Sequence, residues 1–204
     1  MKKLLAVLGM LALLAGCSEA PKPAATEKPK PKEVELFSGL YAFHQMYIQA
    51  RGWARDAQPF LLESQTNSNS TGKDGKAAIW RASFASPLQH GVKPYTWSGT
   101  DAQDAPPRGV DPGTEDSYNP SNSSTQIFDP AFFKIDSDRA AETAQKHGGE
   151  KILTQTPDTP VTYRLDWNKS SNQLIWHVVY GAGASPKLRV AVDASSGDFI
   201  RVEK

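Results

Sequence analysis

The chain has 204 residues, and its 23 Lys and Arg against 22 Asp and Glu give a formal net charge of +1. A charge this close to zero, with no basic stripe, argues against nucleic acid as a partner. Hydrophobic residues make up 39% of the chain, which is enough for a folded core, and no apolar run is long enough to predict a transmembrane helix.

The amino-terminal residues have the pattern of a secretory signal. Lys2 and Lys3 precede an apolar run over residues 4–16, which is too short to span a membrane. The run leads into "LLAGC", residues 13–17, which resembles the lipobox of bacterial lipoproteins. The resemblance implies cleavage before Cys17 and attachment of diacylglycerol to its sulfur. The other interpretation, an ordinary signal peptide, would leave a free thiol in an oxidising compartment.

The residues after Cys17 predict a membrane-anchored tether. Ser18, and not Asp, follows Cys17. A lipoprotein without Asp at this position resembles those that are sent to the outer membrane. We therefore expect an anchored protein of the cell envelope that faces the periplasm. Residues 18–35 are mostly Pro, Lys, Ala and Glu, which bury little and favour extended geometry, so they could reach roughly 50 Å.

An internal repeat indicates how the rest of the chain is built. "AAIWRASFAS", residues 77–86, matches "QLIWHVVYGA", residues 173–182, without gaps. Both segments alternate as β-strands do, so one face of each is large and apolar: Trp80, Ala82 and Phe84, then Trp176, Val178 and Tyr180. The other face carries Ile79, Arg81 and Ser83 in one copy and Ile175, His177 and Val179 in the other.

The segments around the repeat predict its neighbouring elements. A helix is expected over residues 36–54, with Ser38 as N-cap and an apolar stripe, and a second over 136–149, with Asp136 as N-cap. The stripe comprises Leu40, Phe43, Tyr47, Ile48 and Arg51. "PFLLESQ" (59–65) and "EKILTQT" (150–156) are matched as the first strand after each helix. Pro94 lacks an N–H, so its strand is expected at a sheet edge.

These elements predict an α+β fold with two related units, each a helix packed on an antiparallel sheet of three to four strands. The expected organisation is a signal peptide (1–16), a lipidated tether (17–35), a first unit (36–99), an acidic Pro-rich connector (100–131) and a second unit (132–204).

The second unit also resembles a known family. "FKIDSDRAAETAQKHGG", the paired strands and the ending "LRVAVDASSGDFIRVEK" are similar to the PepSY-like family, whose units end in a related Val-Asp-Ala-x-x-Gly turn. The resemblance covers residues 132–204 and reaches residues 36–99 only through the repeat. It implies a small extracytoplasmic module that binds or inhibits partners, and it implies no catalytic residues.

No motif in the sequence indicates a reaction. His177 lies between Trp176 and Val178 and could act as a general base or metal ligand, but the other copy has Arg81 in its place. The histidines lack metal-ligand spacing, and GxSxG and SxxK are missing. "DASSGD", residues 193–198, is interpreted as a turn and not a calcium loop. We therefore expect no metal, no cofactor and no enzymatic activity.

The connector is the least regular segment. Residues 99–130 contain six acidic residues, one base and five prolines, and structureless connections this long are usually functional or disordered. The acidic residues are Asp101, Asp104, Asp111, Glu115, Asp116 and Asp129. The connector could wrap across the units, bind a cation or present Tyr118 to a partner, or it could be a plain surface linker.

The sequence as a whole predicts a non-enzymatic protein, held at the membrane by its lipid, that binds another envelope protein. The residues expected to face that partner are Arg81, His177, Ile175, Val179 and Tyr118. The alternative is an envelope enzyme or small-molecule carrier with a pocket between the two units, using His177, Arg81 or Trp97.

Overall fold

The computed structural model describes residues 33–68, 70–183 and 185–203. The predicted signal peptide, Cys17 and all but the last three residues of the tether lie outside these ranges. Within the described ranges, no helix has both the length and the apolar character needed to cross a membrane.

Eleven strands and three α-helices are assigned along the described residues. In chain order they are β1 (Phe37–Ser38), α1 (Gly39–Trp53), β2 (Gln58–Gln65), β3 (Lys76–Ala77), β4 (Ile79–Ser86), β5 (Gly91–Ser98), β6 (Gly109–Pro112), β7 (Asp116–Ser117), α2 (Ser137–Ala144), α3 (Glu150–Gln155), β8 (Val161–Asn168), β9 (Gln173–Tyr180), β10 (Leu188–Asp193) and β11 (Phe199–Glu203). Short 3-10 turns cover Ser123–Thr125 and Pro130–Phe132, and a π-helical turn, Gln145–Gly149, joins α2 to α3.

The strands form one large antiparallel sheet in the order β11-β10-β9-β8-β2-β4-β5-β6, with β7 also paired to β5. β1 and β3 make a separate two-stranded ribbon. The predicted α+β class is confirmed. The order of a helix followed by three sheet strands occurs twice, as α1 with β2, β4 and β5, and as α2 with β8, β9 and β10. That the two halves are related units stays a prediction.

The core lies between the helices and one face of the sheet. The alternation expected in β4 and β9 is present, since Trp80, Phe84, Trp176 and Tyr180 are all buried on that face. Each tryptophan also has a partner for its indole N–H: Trp80 donates to the carbonyl of Phe37 at 2.9 Å, and Trp176 to that of Ile135 at 2.8 Å. Both carbonyls lie two residues before the first residue of a helix.

The two helices begin next to each other and share their capping groups. Asp136 caps α2 as predicted, because its carboxylate accepts from the N–H of Ser137. The same Asp136 oxygen accepts from the N–H of Leu40, and the Ser137 hydroxyl accepts from the N–H of Gly39. Ser38 occupies the N-cap position of α1, but its side chain makes no capping bond. The first two N–H groups of α1, which have no partner within the helix, are therefore satisfied by the start of α2.

The apolar stripe predicted for α1 is confirmed in part. Phe43 is buried, and Leu40 and Tyr47 pack against the core. Ile48 is 65% exposed, however, and the buried residues of the helix also include Ala42, Met46 and Ala50. The buried side of the helix is therefore turned away from Ile48.

Residues 150–156 are not the predicted strand. They form α3, and the first strand of the second half is β8. The predicted helix end at Gly148 is only a kink, where this glycine adopts a φ of 115° and the chain then continues as a helix. Glycine reaches this left-handed region without the Cβ penalty of other residues, so it bends the chain here without ending the helix.

The strand of Pro94 and the connector also differ from prediction. β5 is an interior strand, because β4 lies on one side of it and β6 and β7 on the other. β6 pairs from Tyr95 onward and β7 pairs at Gly91 and Val92, so the ladder is interrupted where Pro94 lacks a donor. Because the connector supplies both β6 and β7, it is not structureless.

Candidate functional site

The candidate site lies on the face of the sheet opposite α1 and α2, which we call the open face. Strand pairing aligns one residue from each of seven neighbouring strands in a single row across it: Thr96, Arg81, Glu63, Arg164, His177, Ala191 and Arg201. Five of these seven side chains carry or can carry charge. Alternation explains their placement, because successive side chains of a strand point to opposite faces and the neighbours of residues such as Thr96 and His177 point into the core.

His177, a member of this row, lies between two carboxylates, one from β8 and one from β11. Its Nδ1 is 2.7 Å from an oxygen of Glu203, and its Nε2 is 3.4 Å from an oxygen of Asp166. Burial by itself would lower the pKa of His177, but hydrogen bonds and charge from Asp166 and Glu203 outweigh it and raise this pKa. Burial would likewise raise the pKa of Asp166, yet its bonds to His177 and Arg164 lower it.

The ion pairs continue on both sides of His177. Arg164 lies 2.7 Å from Asp166 and 3.7 Å from Glu63, and Arg201 lies 2.7 Å from Glu203. We call these six residues (Glu63, Arg164, Asp166, His177, Glu203 and Arg201) the charge chain. Positive and negative groups alternate along it. Partly exposed pairs of this kind contribute only about 0–1 kcal/mol each to stability, so stability alone does not account for the arrangement.

The charge chain is poorly arranged for acid–base catalysis. A general base needs a free lone pair, and both ring nitrogens of His177 face carboxylates that favour the protonated ring. The low pKa of Asp166 keeps that carboxyl ionised, which does not suit a general acid. The described residues contain no group of three or more His, Cys, Asp and Glu side chains placed to hold a metal ion. The arrangement instead presents a fixed pattern of charge.

The open face is hollowed beside the charge chain. A depression of about 510 Å³ is lined by Arg164, Asp166, His177, Val179, Arg189 and Glu203. A second, of about 320 Å³, shares Asp166 and His177 with it and is bordered by the connector at Pro120, Ser123 and Gln126. The connector therefore forms one wall of the site.

The sequence-predicted residues are only partly brought together. Arg81 is exposed on the open face, and His177 and Val179 are half-buried there. Ile175 is 0% exposed and Tyr118 only 9% exposed, so neither presents its side chain to a partner as predicted. Trp97 pairs with Trp80 and lies on the helix side of the sheet. It therefore cannot share a pocket with His177.

Six residues of the site were missed from the sequence: Glu63, Arg164, Asp166, Arg189, Arg201 and Glu203. The alternation of β8 and β10 could have assigned Arg164, Asp166 and Arg189 to the same face as His177. What alternation cannot provide is the register that places Asp166 and Glu203 on either side of the imidazole.

A pocket between the two halves was predicted, but the two strands at their junction pair directly. β2 and β8 are hydrogen-bonded neighbours, with Leu61 opposite Asp166 and Glu63 opposite Arg164. This pairing makes the sheet continuous, and a small depression of about 100 Å³ at the junction is lined by Phe60 of β2, by β8 and by the connector. The depression at His177 belongs to the second half alone, apart from the wall made by the connector.

Most acidic residues of the connector have local partners. Asp101 pairs with Arg108 at 3.1 Å, and Glu115 accepts from the indole of Trp53 at 3.0 Å. Asp129 caps the turn at residues 130–132. The bond from Trp53 and the pairing of β6 and β7 with β5 hold the connector against the domain, whereas the bonds of Asp101 and Asp129 lie within the connector.

The comparisons with known proteins show the fold alone. No protein-family model matches the chain, and no curated protein matches it. Among solved structures it is similar to the "putative lipoprotein (CD1622)" of Clostridium difficile 630, with a TM-score of 0.55 and 11% sequence identity. The match covers 84% of this chain and 95% of that one.

Proposed function

We propose that this chain is a non-enzymatic, lipid-anchored protein of the cell envelope that binds another protein through its open face. The observation that carries the proposal is the charge chain, whose residues lie on β2, β8, β9 and β11 of a sheet face that neither α1 nor α2 covers. Fixed, alternating charges give specificity to protein contacts more than they add stability. The imidazole of His177, enclosed by carboxylates, favours a binding role over a catalytic one.

Site-specific crosslinking in intact envelopes tests the docking surface. A photo-crosslinking amino acid at Arg81 or Val179, both on the open face, is expected to give a discrete protein adduct. The matched control is the same group at Ile48, which is 65% exposed on α1 across the sheet. Equal adducts from Ile48, or none from the open face, would rule the proposal out.

The anchor and the location form a separate part of the proposal. The lipobox-like residues 13–17 support diacylglycerol on Cys17, and Ser18 supports transfer to the outer membrane with the domain in the periplasm. The similar fold of a protein described as a putative lipoprotein supports the lipid anchor. Cys17→Ala is expected to move the protein from the outer-membrane fraction to the soluble fraction, and an unchanged distribution would contradict the anchor.

We also propose that the two halves are tandem PepSY-like units. Trp80 and Trp176 support this, because each donates to the carbonyl two residues before a helix start. A crystal structure should allow the unit at residues 36–99 to superpose on residues 132–204 over the helix and three strands. Different crossing angles between helix and sheet in the two halves would count against duplication.

A small-molecule carrier is the second candidate, and the depression of about 510 Å³ at His177 favours it. In that case a bound compound should co-purify with the protein and be lost in a Val179→Trp variant, which would fill the depression. Protein adducts from Arg81, at the far end of the row, would not be expected.

A further inference from the structure

The charges on the open face do not all find partners within the chain. Arg164, His177 and Arg201 each lie against a carboxylate. Across residues 33–68, 70–183 and 185–203, Arg81 and Arg189 have no carboxylate within 4.0 Å. The guanidinium groups of Arg81 on β4 and Arg189 on β10 are thus left without a carboxylate partner on a face where three other cations are paired.

Arg189 is placed to receive a ligand carboxylate. It lies opposite Val179 on β9 and lines both the depression beside His177 and a neighbouring one of about 440 Å³. Val179 gives this depression an apolar surface. The planar guanidinium can bind a carboxylate through two parallel hydrogen bonds, and such charge-assisted bonds are stronger than neutral ones.

The separation of the two arginines follows from the strand order. Arg81 on β4 and Arg189 on β10 are four strand spacings apart, or roughly 19 Å at about 4.8 Å per spacing. Arg189 is also offset by two residues from the row of Arg81, which adds roughly 7 Å along the strand direction. The resulting distance of roughly 20 Å equals about six residues of extended chain.

We propose that the open face binds an extended acidic peptide segment of its partner, with two carboxylates about six residues apart paired to Arg189 and Arg81. This inference rests on the proposed protein-binding function. Glu63 and Asp166 lie on strands between the two arginines, and Glu203 lies opposite Arg189 on β11. These carboxylates repel a continuous polyanion or an anionic membrane. Two separated carboxylates, joined by a neutral segment, match the pattern on the face.

Synthetic peptides test the spacing directly. Fluorescein-labelled nine-residue peptides of Ser, Thr and Gly, with two Glu residues either six or three positions apart, have the same net charge. Fluorescence anisotropy with the full lipidated chain in neutral detergent is expected to show at least about threefold tighter binding of the six-residue spacing, and weaker binding as salt is added.

Arginine variants locate the contacts. Arg189→Gln and Arg81→Gln are each expected to weaken the six-residue peptide by about three- to tenfold and to remove the preference for its spacing. Arg189→Lys should retain part of the affinity. Arg55→Gln is the matched control, since Arg55 is exposed but lies outside the sheet. Thermal melts should show that all four variants remain folded.

Several outcomes overturn the inference: no preference for spacing, equal losses in Arg55→Gln and Arg189→Gln, or no binding of either peptide. Binding to vesicles of anionic lipid that depends on Arg81 and Arg189 would also overturn it, in favour of a membrane surface. If crosslinks from the open face are still found but neither peptide binds, the proposed recognition of an acidic segment is wrong and protein binding by the open face stands. If those crosslinks are also missing, the proposed protein-binding function is wrong as well.

Discussion

Two glycines of α1 give opposite predictions for the same substitution. A Cβ on Gly39 would lie 2.9 Å from Cη2 of Trp176 and 3.1 Å from Cη2 of Trp80. Both rings are fully buried and cannot move aside freely. A Cβ on Gly52, in the last turn of the same helix, would meet no heavy atom within 4 Å. The two glycines therefore differ in the space available for a Cβ, because only Gly39 packs against the tryptophans.

The expected magnitudes follow from this difference. Overpacking typically costs about 1–3 kcal/mol, so Gly39→Ala should lower the free energy of unfolding. Gly52→Ala should leave it unchanged or raise it by up to about 1 kcal/mol, because alanine loses less backbone entropy in a helix. Both residues lie in α1, so intrinsic helix propensity has the same sign in each case.

Urea unfolding followed by far-ultraviolet circular dichroism measures both variants without relying on the tryptophans. We expect the midpoint of Gly39→Ala to fall and its m-value to stay that of the wild type. If Gly39→Ala is as stable as the wild type or more so, the close contact between the start of α1 and the two indoles is wrong.

Three further predictions concern buried polar contacts and pH. Ser137→Ala should lower the free energy of unfolding by about 2–4 kcal/mol, because the buried N–H of Gly39 and the carbonyl of Gly75 both lose the Ser137 hydroxyl as a partner. The control is Ser170→Ala in an exposed turn, which should change the free energy of unfolding by less than about 0.5 kcal/mol in the same urea assay. The raised pKa of His177 contributes stability that is fully present below the unfolded value of 6.5 and is lost as pH rises through the folded value. His177→Gln should therefore reduce stability more at pH 5.5 than at pH 9. The lowered pKa of Asp166 has the opposite sign, so Asp166→Asn should cost most above pH 3.8 and least in stronger acid.

The predictions for Ser137 and His177 each have a result that would contradict them. Equal stability of Ser137→Ala and Ser170→Ala would mean that the junction of the two helices is not bonded as described. A loss in His177→Gln that grows with rising pH would mean that the imidazole is stabilised in its neutral form. That result would contradict the contacts of the His177 ring with Asp166 and Glu203.

Local sequence patterns predicted the parts of the fold that depend on local chemistry. Alternation in β4 and β9 identified their buried faces, and Asp136 was recognised as a cap because a short carboxylate before a helix satisfies its first N–H groups. Residues 150–156 were assigned wrongly because short apolar runs do not distinguish a strand from a helix. Gly148 was read as a helix end, but a left-handed glycine can also kink a helix that continues.

The candidate site was harder to predict because it depends on register between distant strands. The sequence placed His177 on an outward face, but it could not show that Asp166 and Glu203 flank the ring. Ile175 has the same alternation as His177 and is nevertheless buried, since alternation assigns a side chain to a face without showing what covers that face.

The pairing of β2 with β8 has a consequence for folding kinetics. It joins Leu62 to Leu165, and the bonds from Gly39 and Leu40 to the start of α2 span 98 and 96 residues. Contacts this distant in sequence close late, because a long loop must first be ordered. Until β8 pairs with β2, that edge of β2 exposes unpaired N–H and C=O groups that another extended chain can bind. The time that β8 takes to pair therefore determines how long the folding intermediate is prone to aggregation.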